Sequence, residues 1–170
     1  MDDNKQQEMK SLTVIAILGL MLLVGCKPKG STEPKPSPER PRQESVAPKV
    51  TPMELTASEF KKRVANYETH PNEWVFLGDK PAVIDFYATW CGPCKATAPV
   101  FADLANTFAG KVDFYKIDID RQPELASLFG VTSIPSLLFI PKDGKPTMSV
   151  GAMDKQRMRA AIQDLLKVTP

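Results

Sequence analysis

One histidine and three cysteines are all that this 170-residue sequence offers as soft metal ligands. A structural zinc site draws on four closely placed nitrogen or sulfur donors. Cys91, Cys94, the remote Cys26 and His70 do not form such a set, so no metal is expected. Covalent haem needs a histidine directly after a C-x-x-C pair, and Lys95 stands there instead. Charge of one sign is lacking too. The 22 Lys and Arg are nearly balanced by 20 Asp and Glu, for a net +2. From Met53 onward the count is fourteen against fourteen, and the surplus sits in front of it. There, Lys27, Lys29, Lys35, Arg40, Arg42 and Lys49 outnumber Glu33, Glu39 and Glu44. A neutral main portion has no electrostatic footprint for a phosphate backbone, which excludes nucleic acid as a partner. Long apolar runs are scarce. Only Leu12 to Gly25 is almost continuous, and it is too short to span a bilayer comfortably.

That run has the length of a signal-peptide core. It ends in Leu23-Val24-Gly25-Cys26, which resembles the bacterial lipobox. The resemblance implies a lipoprotein signal peptide over residues 1–25, lipid on Cys26, and a mature protein held at a membrane of the cell envelope. A plain secretory signal or an uncleaved anchor, with Cys26 incidental, is the alternative. Met1 to Glu8 is acidic where a signal should start basic, so Met9-Lys10-Ser11 is the more natural opening. Residues 26–52 hold seven prolines and no aromatic residue, too little apolar surface to order themselves. Fully extended at about 3.1 Å per residue, this spacer would reach on the order of 80 Å. A proline-rich recognition peptide is the sharper alternative reading of the same stretch.

From Met53 onward the signals alternate between helix and strand. Thr56-Ala57-Ser58-Glu59 reads as a capping box before Phe60, Val64 and Tyr67 on one helical face. Ala82 to Ala88 is a short apolar strand. Cys94 to Phe108 reads as a helix interrupted at Pro99 and stopped by Gly110. Val112 to Asp118 follows as a strand, and Pro123 to Phe129 as a helix with proline in its first turn. Ser136–Ile140 and Thr147–Val150 flank an Asp143-Gly144 turn as a hairpin. Met158, Ala161, Ile162, Leu165 and Leu166 mark a last amphipathic helix. With a first strand near Leu55, this is a βαβ half followed by an antiparallel half. The expected architecture is α/β, a central mixed β-sheet with helices on both faces over residues 53–170.

Cys91-Gly92-Pro93-Cys94 falls between a strand and a helix. Two thiols so spaced at a helix start can close as a disulfide. Unpaired backbone N–H groups and the positive end of the helix dipole favour the first thiolate there. The thiolate is the species that attacks disulfides. A purely structural disulfide, or half a zinc site, is the bland alternative.

The stretch Asp85-Phe86-Tyr87-Ala88-Thr89-Trp90-Cys91-Gly92-Pro93-Cys94-Lys95 closely resembles the active-site segment of thioredoxins. The likeness continues through Lys116-Ile117-Asp118, Ile134-Pro135, Gly144 and Gly151-Ala152, and covers about residues 53 to 168. It implies the thioredoxin fold and a thiol–disulfide oxidoreductase that needs no cofactor. It also implies roles. Cys91 would be the exposed nucleophile and Cys94 the more buried resolving thiol. Asp85, on an apolar strand, would be a buried acid of raised pKa that shuttles the Cys94 proton, with Lys116 as its partner. Trp90, Gly92, Pro93, Ile134 and Pro135 would meet the substrate, Pro135 as the family's cis-proline. Pro99 resembles the family's helix kink.

Departures are visible as well. Tyr87 stands where many members carry tryptophan, and Ser133 where many carry glycine. Asn66 to Lys80 is longer than the family minimum and is expected to form a surface loop packed by Trp74, with His70 facing solvent. The expected activity is reduction of disulfides in envelope proteins by a monomer, through a mixed disulfide, with electrons from a membrane thiol donor. Disulfide oxidation or isomerisation, and a non-catalytic adaptor on the same scaffold, are the competing readings.

Overall fold

A computed structural model describes residues 49–170. The signal peptide, the Met9 start, Cys26 and all but the end of the proline-rich spacer lie outside those residues. The described residues form five strands and four helices: β1 (Met53–Glu54), α1 (Ala57–Arg63), β2 (Ala82–Tyr87), α2 (Gly92–Thr107), β3 (Asp113–Asp118), α3 (Pro123–Leu128), β4 (Ser136–Ile140), β5 (Thr147–Val150) and α4 (Lys155–Leu166). The strands lie in the order β1-β3-β2-β4-β5. β3 runs parallel to both β1 and β2, while β4 is antiparallel to β2 and β5 to β4.

Strand periodicity sorts the apolar residues onto two faces. Ala82, Ile84 and Phe86 point to one face, where Phe60 and Val64 of the α1 end and Leu125 of α3 cover them. Val83, Phe114, Leu137 and Phe139 point to the other, under Phe101, Leu104 and Ala105 of α2 and Met158, Ile162 and Leu166 of α4. The β2 run is apolar nearly throughout because both of its faces are covered. Each fully buried Phe or Leu contributes on the order of 1.5–3 kcal/mol from burial. Asp85 is the exception in β2, and it falls on the face that α2 covers.

Two helices differ from the sequence expectation. α1 carries its capping box, with Thr56 Oγ1 accepting the Glu59 N–H and Glu59 accepting the Thr56 N–H. It stops at Arg63, so Tyr67 is not on its face. Asn66 Oδ1 accepts the N–H groups of Glu68 and Thr69, a local turn that competes with further helix. Tyr67 still packs on Phe60, at 6.2 Å between ring centroids. α2 begins at Gly92 and runs unbroken through Pro99 to Thr107. Proline removes the N–H that would bond the Lys95 carbonyl. The residues around that gap, Lys95 and Pro99, are exposed, while Phe101 and Leu104 anchor the following turn in the core.

The 66–80 segment folds over α1 and α3. Trp74 packs edge-on against Phe129 at 6.1 Å, and His70 is exposed. At the other end of the domain, the Asn106 side chain clasps the incoming chain. Its Oδ1 accepts the Val50 N–H at 2.8 Å and its Nδ2 donates to the Val50 carbonyl at 3.1 Å.

Candidate active site

Cys91 ends the turn after β2 and caps α2. Its backbone is extended, and its Sγ accepts the Cys94 N–H at 3.1 Å. Pro93 occupies the first turn, where a helix has no intrahelical partner for an N–H. Cys91 and Cys94 are joined as a disulfide with their Cα atoms 5.3 Å apart. The N–H directed at sulfur, together with the helix dipole, stabilises a thiolate at Cys91 when the bond opens.

The expected contrast between an exposed Cys91 and a buried Cys94 is not found in this oxidised form. The two are 4% and 3% exposed. They sit with Ala88 in an apolar nest against Tyr87, Ile119 and Ile134. Position, not exposure, distinguishes them: Cys91 is at the cap and Cys94 inside the first turn. Access comes from the rim, where Gly92 and Pro93 are exposed and Trp90 is 66% exposed. The Ile134–Pro135 peptide is cis, with Ile134 half-buried and Pro135 buried. Ser136 Oγ donates to the Ser133 carbonyl at 2.7 Å and Gly151 N–H to the Pro135 carbonyl at 2.8 Å, which fixes this loop from both sides.

Asp85 is 1% exposed, and neither carboxyl oxygen has a hydrogen-bond partner. Burial pushes its pKa up from 3.8 to about 6, against the pull of Lys116 and with a push from Glu54. It lies on the same sheet face as α2, the helix that opens with the cysteines. Lys116 is its register neighbour on β3 but does not bond it. Its ammonium is 3.5 Å from Glu54 Oε1 and 3.6 Å from the centroid of the Tyr87 ring. Lys116 therefore acts on Asp85 only through its field.

Two participants were not singled out from the sequence. Asp120 Oδ2 accepts the Trp90 indole N–H at 2.7 Å, which orients the exposed ring over the rim. Glu54 belongs to a two-residue strand whose pairing with β3 no local pattern announces. Asp120 lies just past the end of β3 and is exposed, and its contact with Trp90, thirty positions away, leaves no local signal in the sequence. Asp120→Ala should leave the rate at saturating substrate near that of the parent. It should raise KM about threefold to tenfold, the scale of the net contribution of one ordinary, solvent-exposed hydrogen bond. Steady-state kinetics on a protein disulfide checks this; an unchanged KM would leave the ring position irrelevant to docking.

A disulfide of three-residue spacing, capping a helix on a mixed sheet and backed by a buried acid, defines a two-electron dithiol–disulfide redox protein. The thioredoxin family model matches residues 51–164. The thioredoxin of Borreliella burgdorferi is 45% identical over 112 residues, covering 66% of this chain and 95% of that protein. Malassezia sympodialis thioredoxin is 46% identical over 86 residues, 50% of this chain and 81% of that protein. The crystal structure of a thioredoxin from that species superposes with a TM-score of 0.57 at 36% identity, covering 71% of this chain and 96% of that one. Chloroplastic thioredoxin z, at 22% identity, shares the fold with a TM-score of 0.58 over 70% of this chain and 97% of its own. This chain belongs to the thioredoxin family. It is a thiol–disulfide oxidoreductase of the protein-disulfide reductase class.

Proposed function

We propose that this protein reduces disulfides of envelope proteins while held by lipid to a membrane. The observation that carries the chemistry is the Cys91 sulfur at the α2 cap, bonded to Cys94 and facing its N–H. In the reduced form, the Cys91 thiolate attacks one sulfur of a substrate disulfide. That bond breaks, a mixed disulfide forms, and the released substrate sulfur takes a proton. Cys94 then loses its proton to the Asp85 carboxylate and attacks Cys91 Sγ. The Cys91–Cys94 disulfide closes, and the second substrate sulfur leaves as a thiolate that takes a proton from solvent while Asp85 returns its own. Two electrons have passed to the substrate, and a membrane thiol donor returns them to the cysteine pair. Trp90, Gly92, Pro93, Ile134 and Pro135 form the surface on which an extended substrate segment lies.

The leader and Cys26 support the location. A hydrophobic run that stops at cysteine fits lipidation, and the proline-rich spacer fits a domain that works away from the membrane surface. Reduction of insulin disulfides by the dithiol form, together with a low reduction potential, tests the direction of electron flow. A potential as oxidising as that of dedicated disulfide-forming enzymes would move the protein to the oxidase reading. Cells fed a fatty-acid analogue should label the parent chain and not Cys26→Ser. Equal labelling of both would remove the tether at Cys26.

A further inference from the structure

A single rung crosses the first three strands of the sheet. Glu54 on β1, Lys116 on β3 and Asp85 on β2 are register partners in two parallel ladders, and so share one face. Adjacent strands lie about 4.8 Å apart, which puts the Lys116 stem between two carboxylates. The ammonium goes to only one of them. It sits 3.5 Å from Glu54 Oε1, while both Asp85 oxygens stay unpartnered. Tyr87 is two residues along β2 from Asp85 and projects on the same face. Its hydroxyl donates to Glu54 Oε1 at 2.7 Å, and its ring lies 3.6 Å under the ammonium.

We propose that Tyr87 and Glu54 are positioning residues for the redox reaction: they clasp Lys116 and withhold it from Asp85, and so set how readily the buried acid takes a proton. The idea rests on the reading of Asp85 as the proton shuttle for Cys94. Three physical effects favour the clasp over a Lys116–Asp85 pair. Glu54 is more than half exposed, so pairing there does not require full dehydration of either ion, whereas pairing at Asp85 does. The Tyr87 ring attracts the ammonium through its negative face. The phenol is a donor that burial and Glu54 keep protonated, because both push its pKa upward. Among the described residues, Glu54 is the only carboxylate in ion-pair contact with Lys116. Asp118, the last residue of β3, lies two positions along on the same face, where its side chain accepts the Asp120 N–H; Asp103 of α2 pairs with Lys155, Lys95 of α2 is exposed, and β4 carries no ionisable residue.

Two substitutions open the clasp in different ways. Glu54→Gln removes the charge that holds the ammonium, and Tyr87→Phe removes the hydroxyl while keeping the ring. Freed, Lys116 can turn to its other register neighbour, and an opposite charge at contact range lowers a carboxyl pKa by about 1–3 units. Carbon-13 NMR titration of the Asp85 carboxyl in the oxidised protein reads this without reference to activity. The midpoint is expected to fall by about one unit or more in Glu54→Gln, and by less in Tyr87→Phe. The acid limb of the turnover–pH profile should move the same way, so that activity well below the parent midpoint rises about tenfold relative to the optimum. In an Asp85→Asn background, Glu54→Gln should leave the profile where it was. Because Glu54→Gln also removes Glu54's own push on Asp85, the Tyr87→Phe arm decides, and an Asp85 midpoint unchanged in that variant overturns the proposal. A shift of the profile that persists without Asp85 does so too. A shifted carboxyl midpoint with an unshifted profile leaves the clasp standing and removes Asp85 as the shuttle.

Discussion

Cys94→Ala should capture its substrates as covalent adducts. Cys91 still caps α2, still faces the backbone N–H groups of the first turn, and still attacks a disulfide. The mixed disulfide then has no resolving sulfur beside it. The product is a species of higher mass on non-reducing gels that collapses with dithiothreitol, and multiple turnover stops after one equivalent. Cys91→Ser should lose reduction altogether, by at least about a thousandfold, since an alcohol is neither ionised at neutral pH nor able to form the mixed disulfide. The two losses are alike in steady state and opposite in adducts. If Cys94→Ala turned over repeatedly while Cys91→Ser formed adducts, the two sulfurs would exchange roles.

Asp85→Asn should make the domain more stable and the enzyme slower. The carboxyl has no hydrogen-bond partner, and burial raises its pKa from 3.8 to about 6. The folded state thus binds its proton more tightly than the unfolded chain does. The stability associated with this group is fully present below about pH 4 and is lost as the pH rises to about 6. At pH 7 the charged carboxylate costs the fold about 3 kcal/mol, and an amide of the same shape removes that cost. Thermal or urea unfolding should show the variant about 3 kcal/mol more stable at pH 7 and close to the parent at pH 4, a difference of about 10 °C in Tm at the higher pH. Turnover near neutral pH should fall, because an amide cannot accept the Cys94 proton. A variant no more stable at pH 7 than at pH 4 would mean that Asp85 is not buried as a lone carboxyl.

The pattern in these residues explains what could be read without coordinates. β2, β3 and β4 were legible because short stretches rich in aromatic and branched apolar residues, bounded by Pro81, Gly110 and Pro135, leave few alternatives to buried strands. The cysteine site was legible because its parts are adjacent in sequence. Contacts set by the sheet were not. Strand order places Glu54 beside Lys116, although 62 positions of chain separate them, and no local periodicity carries that information. The sequence suggested Lys116 as a partner of Asp85, and the register agrees with their nearness. What decided the bond was the balance between dehydration and pairing, which depends on the exposed Glu54 and the Tyr87 ring. The helix bounds depend on the same kind of context. Apolar spacing places Tyr67 on the α1 face and Pro99 as a break in α2, yet the Asn66 side chain cuts α1 short and the core residues on α2 hold that helix through its proline.

The clasp at Asn106 has a mechanical consequence. Val50 is fastened to the last turn of α2, and Cys91 caps the first, about 22 Å away along a rigid rod. Load arriving along the backbone ahead of Val50 enters the domain at the trailing end of that rod. The sulfur pair then rides at the leading end, like the tip of a probe whose handle is gripped from behind. A large partner could close over Trp90 and the cysteines without colliding with the point of attachment. Drag on the stem would pull along α2 and away from the sulfurs.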